Sequence, residues 1–152
     1  VYLVNPLGKK NEKVKANGEI FKVFDEADNL LGYSFVCEGN GFQGKIRIMV
    51  GVDKNLEKII SYEVLEQSET PGLGTKILDD PFKKQFNNLF AIPRIEWIKG
   101  KAPSKPNEVQ TITGATISSV ALVNIINSGL ENMRKLKEKN LLWIKNHILM
   151  NL

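Results

Sequence analysis

The clearest pattern in the sequence is a strict alternation of apolar and polar positions over residues 45–52, KIRIMVGV. Ile46, Ile48, Val50 and Val52 fall on one face and the residues between them on the other. A period of two places successive side chains on opposite faces of a β-strand. This segment therefore predicts a strand of an antiparallel sheet, with one apolar face toward a core.

Three neighbouring segments have the same strand-like character. They are Glu19–Asp25, Tyr33–Glu38 and Lys58–Leu65, and short turns such as ADNLLG separate them. Strands that follow one another through short turns usually lie side by side. We therefore expect a four-stranded meander.

Helical periodicity replaces this alternation in the second half of the chain. Asp79, Asp80 and Pro81 are typical of a helix start, and Phe82, Phe86 and Phe90 follow at intervals of four residues. From Ile117 a longer helix is predicted. Its apolar face comprises Val120, Val123, Ile126, Leu130 and Met133. The predicted fold class is α+β: a single domain in which helices flank an antiparallel sheet.

The two ends of the chain differ from this middle part. Residues 1–18 are polar and predict a linker or a charged helix, residues 19–138 form the domain, and residues 139–152 predict an amphipathic C-terminal helix. That last helix packs back on the sheet or meets a partner or membrane surface. The chain begins at Val1 rather than Met, and we expect a membrane segment to precede it.

The composition limits the kinds of functional site that the chain can hold. The chain has 152 residues, a net charge of +4, one Cys and one His. A single Cys37 excludes an internal disulfide and a cluster held by several cysteines, and a catalytic triad would have to use His147. The sequence has no run of about 18 apolar residues that would span a membrane. It also has no recognisable nucleic-acid module, so we expect no nucleic-acid partner.

The segment QTITGATISS, residues 110–119, lies where a loop becomes the long helix. The N–H groups of a helix N-terminus favour a bound anion, phosphate above all. The hydroxyl of Thr116 could contact a phosphate or be esterified by one. The alternative is that Thr116 or Ser118 simply caps the helix.

Two glycine-rich loops precede this segment. GNGFQG, residues 39–44, implies a close approach of the backbone to another group. In QSETPGLG, residues 67–74, Glu69 and Thr70 stand on a loop stiffened by Pro71. Such a loop carries a site or is a plain turn between sheet and helix.

Together, SETPGLG at 68–74, TGAT at 113–116 and GNGFQGKI at 39–46 resemble the FMN-binding domain family. That family includes the RnfG and NqrC subunits of membrane electron-transport complexes. The resemblance covers roughly residues 19–138, and the short chain without long insertions is more similar to RnfG. Two positions depart from the family pattern: Gln110 replaces an acidic residue, and Gln67 replaces a frequent His.

The resemblance implies a covalent cofactor. In the family, the last threonine of the TGAT motif carries FMN through a phosphoester bond, and this threonine corresponds to Thr116. A separate flavin transferase makes the bond from FAD with magnesium. The remaining cofactor-binding residues implied are Thr113, Gly114, Ala115, Glu69, Thr70, Gly72, Leu73, Gly74 and Lys101.

The implied function is electron transfer within an Rnf-type ion-translocating oxidoreductase. The chain alone would be an electron carrier, anchored to the cell inner membrane with the domain on the extracytoplasmic (periplasmic) side. Its partners would be the other subunits and the flavin transferase. Two alternatives stay open. One is an NqrC-like or other membrane reductase or regulator domain, and the other is a module that binds FMN or a phosphorylated ligand reversibly.

Overall fold

The alternating segments form consecutive neighbours in one antiparallel sheet. The computed structural model describes residues 10–14 and 19–143. The six strands lie in chain order, which confirms the predicted meander and the α+β fold class. They are β1 (Lys10–Val14), β2 (Ile20–Phe24), β3 (Leu30–Asn40), β4 (Lys45–Asp53), β5 (Lys58–Glu66) and β6 (Leu89–Phe90).

Aspartates stabilise two of the turns between these strands. Asp25 Oδ1 accepts hydrogen bonds from the backbone N–H groups of Ala27 and Asn29, both at 2.9 Å. Asp53 Oδ1 accepts from the N–H of Glu57 at 2.8 Å after β4. An aspartate that binds the backbone ahead of it fixes a tight reversal, so consecutive strands pair without long connections.

The N-terminal segment differs from the prediction. Residues 10–14 were expected in a polar linker or helix, and they form β1, which pairs with β2 along its whole length. β1 is one of the two edge strands of this sheet. Charged residues are common on edge strands, so a polar composition did not exclude a strand here. The predicted C-terminal helix lies almost wholly outside the described residues, apart from a short 3-10 turn at Leu141–Trp143.

The predicted aromatic helix is much shorter than its pattern suggests. Helix α1 (Asp80–Lys83) lies between 3-10 turns at Gly74–Leu78 and Lys84–Phe86. Phe82 and Phe86 are buried with ring centroids 5.3 Å apart. Phe90 does not continue this stripe, because the helical segment ends at Phe86 and Phe90 stands on β6 with 44 % exposure.

A small parallel pair of strands leads to the long helix. Residues Arg94–Lys99 predict a short strand, but its parallel pairing was not predicted. β7 (Glu96–Ile98) pairs with β8 (Glu108–Gln110). Side-chain amides complete the hydrogen bonding at both strands. Gln85 accepts from the N–H of Gln110 at 2.7 Å and donates to its carbonyl at 3.0 Å. Asn127 makes the same two bonds with Ile95, at 2.8 and 2.9 Å.

Helix α2 (Thr116–Glu138) packs on the core face of the sheet, chiefly against β3. Two glycines allow this close approach. A Cβ atom at Gly129 would lie 2.7 Å from Phe35 Cε2 and 3.1 Å from Cys37 Sγ, and one at Gly39 would lie 2.7 Å from Ile125 Cγ1. Glycine within a helix costs about 1 kcal/mol relative to alanine, so its presence here reflects the short helix–sheet distance. Among the described residues, no helix is apolar enough over a sufficient length to cross a membrane.

Gly129→Ala is expected to destabilise the domain although alanine favours a helix. The added Cβ must displace the Phe35 ring or the helix, and overpacking of this kind costs about 1–3 kcal/mol. Urea unfolding of the apo protein measures the loss. The matched control is Ser128→Ala, at the neighbouring exposed helix position, which should stay within about 0.5 kcal/mol of wild type. A Gly129→Ala protein more stable than wild type would contradict this account of the packing.

Candidate cofactor site

A cleft of about 450 Å³ lies at the N-terminus of α2. Four separate segments of the chain form its walls: the loop after β3, the loop after β5, the end of β7 and the start of α2. The lining residues are Phe42, Thr70, Leu73, Gly74, Lys99, Gly114, Ala115, Thr116, Ile117 and Ser118.

Thr116 is the first residue of α2, and its side chain does not cap the helix. Ala115 occupies the N-cap position, and no side chain makes the capping hydrogen bond. The hydroxyl of Thr116 takes part in none of the hydrogen bonds found among the described residues. The alternative that Thr116 or Ser118 caps the helix is therefore wrong. A half-buried hydroxyl on the cleft wall stays available for a ligand.

The buried hydroxyl of Ser119 fixes the TGAT turn through two hydrogen bonds. It accepts from the N–H of Ile112 at 3.0 Å and donates to the carbonyl of Ala115 at 2.8 Å, and the residue is fully buried. Gly114 has φ of +82°, which only glycine adopts without strain. Together these features fix the loop that presents Thr116 to the cleft.

Glu69 is buried at 4 % exposure, although it was predicted as a cofactor contact. Its carboxylate accepts from the N–H groups of Phe42 and Gln43, both at 2.7 Å, and from Ser118 Oγ at 3.1 Å. These three partners belong to two different walls of the cleft. Glu69 thus holds the walls together and is not among the residues that line the cleft.

The other predicted site residues divide into two groups. Those on the cleft wall are Thr70, Leu73, Gly74, Gly114, Ala115 and Thr116. The exposed residues Thr113, Gly72 and Lys101 do not line it. Gly72 has a structural role, because it turns the loop at φ of +74° and donates its N–H to Thr75 Oγ1 at 3.0 Å.

Four residues that line the cleft were not among the predicted contacts: Phe42, Lys99, Ile117 and Ser118. Phe42 lies in the glycine-rich loop GNGFQG, for which the sequence predicted a close approach to another group. No sequence signal marked Lys99 as a contact; it follows β7, whose pairing with β8 was not predicted. A larger cavity of about 560 Å³ near Lys76 and Gln110 does not include Thr116.

The cleft combines an apolar rim with features that favour an anion. Phe42, Leu73 and Ile117 are 57 %, 46 % and 58 % exposed. Large apolar side chains exposed around a cavity are typical of ligand sites. The N-terminal N–H groups of α2 and the ammonium of Lys99 supply positive charge. The volume lies within the range of about 300–1,000 Å³ for small-molecule pockets. These residues fit a phosphorylated ligand with a flat apolar part, which describes FMN.

Among the described residues outside the cleft, we find neither a reactive thiol nor a metal site. Burial raises the pKa of the Cys37 thiol to about 12, so this thiol stays protonated at neutral pH and is a poor nucleophile. No group of three or more His, Cys, Asp or Glu side chains is arranged to hold a metal ion in the part of the chain that the structure describes.

Comparison with known families agrees with this geometry. Residues 41–131 match the FMN-binding domain, and they include the SETPGLG and TGAT motifs and most of GNGFQGKI. The chain belongs to the FMN-binding domain family. The family match begins at the loop that carries Phe42 and ends within α2, so it contains every segment that forms the cleft.

Curated relatives of this FMN-binding domain are subunits of ion-translocating complexes. The G subunit of an ion-translocating oxidoreductase complex from Methanosarcina acetivorans is 32% identical over 111 residues, which cover 73% of this chain and 56% of the relative. The G subunit of the proton-translocating ferredoxin:NAD(+) oxidoreductase complex from Clostridium ljungdahlii is 30% identical over 132 residues, which cover 86% and 68%. The chain thus spans about half to two thirds of the length of these relatives.

Solved structures show that the fold is shared. NqrC from Shewanella oneidensis superposes with a TM-score of 0.67 at 21% identity, covering 84% of this chain and 65% of that one. The C subunit of the Na(+)-translocating NADH-quinone reductase from Parabacteroides distasonis gives 0.60 at 23% identity, covering 74% and 58%.

Ser119→Ala is expected to destabilise the TGAT turn of the FMN-binding domain. The N–H of Ile112 would lose its acceptor in a half-buried position, which costs about 1–3 kcal/mol. Thermal or urea unfolding of the apo protein measures the loss. Thr113→Ala is the matched control, because Thr113 is an exposed hydroxyl residue of the same segment. Equal stability of the two variants would show that Ser119 does not hold the turn.

Proposed function

We propose that this domain carries FMN bonded through its phosphate to Thr116 Oγ1, and that it transfers electrons as a subunit of an Rnf-type ion-translocating oxidoreductase. The observation that carries the proposal is the position of Thr116. Its hydroxyl stands at the start of α2, on the wall of a cleft whose residues fit FMN, and it is not used to cap the helix.

The proposed bond requires one group transfer. Thr116 Oγ1 attacks the FMN-side phosphorus of FAD, a P–O bond of the pyrophosphate breaks, and AMP leaves with that bond's electron pair. The hydroxyl proton passes to a base. A separate flavin transferase with magnesium would supply the base and the metal, as the family resemblance implies. The contribution of this chain is an accessible hydroxyl on a fixed turn.

Once attached, the phosphate would lie at the N-terminus of α2, where backbone N–H groups and Lys99 favour its charge. Phe42, Leu73 and Ile117 would contact the isoalloxazine ring. FMN supplies the redox chemistry when bound, and the chain orients and insulates it.

The names of the relatives support the proposed setting. The G subunits from Methanosarcina acetivorans and Clostridium ljungdahlii align over 73% and 86% of this chain. An NqrC relative from Vibrio vulnificus aligns over 69% at 28% identity. The alignments cover 56% and 68% of the two G subunits but 44% of the NqrC relative, which favours an RnfG-type role over an NqrC-like one. We propose that the partners are the other subunits of such a complex, and that a membrane segment outside the given sequence holds the domain on the extracytoplasmic side.

Thr116→Ala is expected to abolish covalent flavin attachment. The chain is co-expressed with a flavin transferase, denatured, and examined for in-gel flavin fluorescence and for a mass increase of one FMN minus one water. Wild type should show both signals. Thr116→Ser keeps a hydroxyl at the same position and should retain attachment, at least in part.

Two results would contradict the proposal. Flavin that washes away from the denatured wild type would show reversible binding, which is the remaining alternative. Covalent flavin on Thr116→Ala would show that another hydroxyl is the acceptor. Circular dichroism of the variants is the control for folding, and the fold should persist because the Thr116 side chain makes no capping hydrogen bond.

A further inference from the structure

The tip of the loop that carries Phe42 is exposed to solvent. Phe42 is 57 % exposed and Gln43 is also exposed. Within the loop, the N–H of Gly41 donates to the carbonyl of Gly44 at 2.7 Å. An exposed loop of this kind, with no buried side chain at its tip, is usually mobile.

A buried carboxylate connects the exposed tip of this loop to the rest of the cleft. Glu69 Oε1 accepts from the N–H of Phe42, and Oε2 accepts from the N–H of Gln43, both at 2.7 Å. Hydrogen bonds from consecutive N–H groups to an ionised carboxylate are short and roughly twice as strong as neutral ones. The same Oε1 accepts from Ser118 in the first turn of α2, at 3.1 Å.

Glycines from two of the sequence motifs make room for Glu69. A Cβ atom at Gly41 would lie 2.0 Å from Glu69 Oε1. A Cβ atom at Gly74 would lie 2.6 Å from Glu69 Cβ and 2.7 Å from Ser118 Oγ. Neither glycine has a positive φ, so it is the space taken by Glu69 that excludes a larger residue.

We infer that Glu69 is a positioning residue that holds Phe42 over the cleft and acts on the flavin through this loop and through its charge, not by contact. The inference rests on the proposed function for its effect on FMN. Its effect on the loop is a property of the protein alone. Glu69 Cβ and Cγ lie behind Gly74, and its carboxylate accepts from Ser118 Oγ at 3.1 Å. Gly74 and Ser118 both line the cleft, so the negative charge of Glu69 lies one residue behind the cleft wall.

The first arm of the test uses the apo protein and needs no flavin. Hydrogen exchange followed by NMR should show slow exchange at the Phe42 and Gln43 amides, although both residues are exposed. In Glu69→Gln, the carboxamide offers only one oxygen, and exchange at one or both amides should be about tenfold faster or more. Gly41→Ala should produce the same acceleration without changing any charge.

Glu66→Gln is the matched control for this arm. Glu66 is an exposed residue at the end of β5, three positions before Glu69. The Glu66→Gln substitution removes the same charge and should leave the exchange rates of the Phe42 and Gln43 amides as in wild type. Unchanged exchange in both Glu69→Gln and Gly41→Ala would overturn the inference, whatever the cofactor.

The second arm measures the flavin midpoint potential of the flavinylated proteins. Loss of a negative charge near the ring favours the reduced flavin, so Glu69→Gln should have a higher potential than wild type and Glu66→Gln. A potential equal to that of Glu66→Gln would overturn the role of Glu69 at the flavin. If the wild type takes up no flavin, the proposed function fails, and the exchange arm still decides whether Glu69 holds the loop.

Discussion

The close packing of α2 on β3 is the constraint on which the site depends. Gly129 and Gly39 bring the helix against the sheet where a side chain would not fit. That contact sets the position of the helix against the sheet, and with it the position of Thr116 and of the free N–H groups of the first turn. The cleft is formed because two loops and the end of β7 meet the helix at this point.

Two buried polar side chains then fix the TGAT turn and the Phe42 loop, whose positions the helix alone does not determine. Ser119 ties the TGAT turn to α2, and Glu69 ties the Phe42 loop to the same first turn through Ser118. Buried polar groups with all their partners rigidify a structure, because any displacement leaves a costly unpaired atom. A site built this way needs no acid or base of its own. It needs only to hold a hydroxyl, an anion site and an apolar rim in fixed relative positions.

Much of this arrangement could be predicted from the sequence, and the failures have physical causes. Strict alternation predicted β4 and its neighbours, since a period of two is independent of tertiary context. The four-residue interval between Phe86 and Phe90 predicted that both lie on one helix. The same interval is compatible with a chain that changes direction at Asn88, where φ is +60°. Glu69 was predicted near the site, but its burial depends on contacts between residues far apart in the sequence. Lys99 follows β7, whose parallel pairing with β8 has no local signal because it joins residues that are not adjacent in the sequence.

The central claim is that Thr116 is the hydroxyl that accepts FMN. Its most direct test is tandem mass spectrometry of the flavinylated wild-type domain after trypsin digestion. Cleavage after Lys101 and Arg134 yields a peptide of residues 102–134, which also contains Thr111, Thr113 and the serines of α2. Fragment ions that place the FMN phosphate on Thr116 are the predicted result. A modified residue other than Thr116, or an unmodified peptide from flavin-bearing protein, would contradict the account.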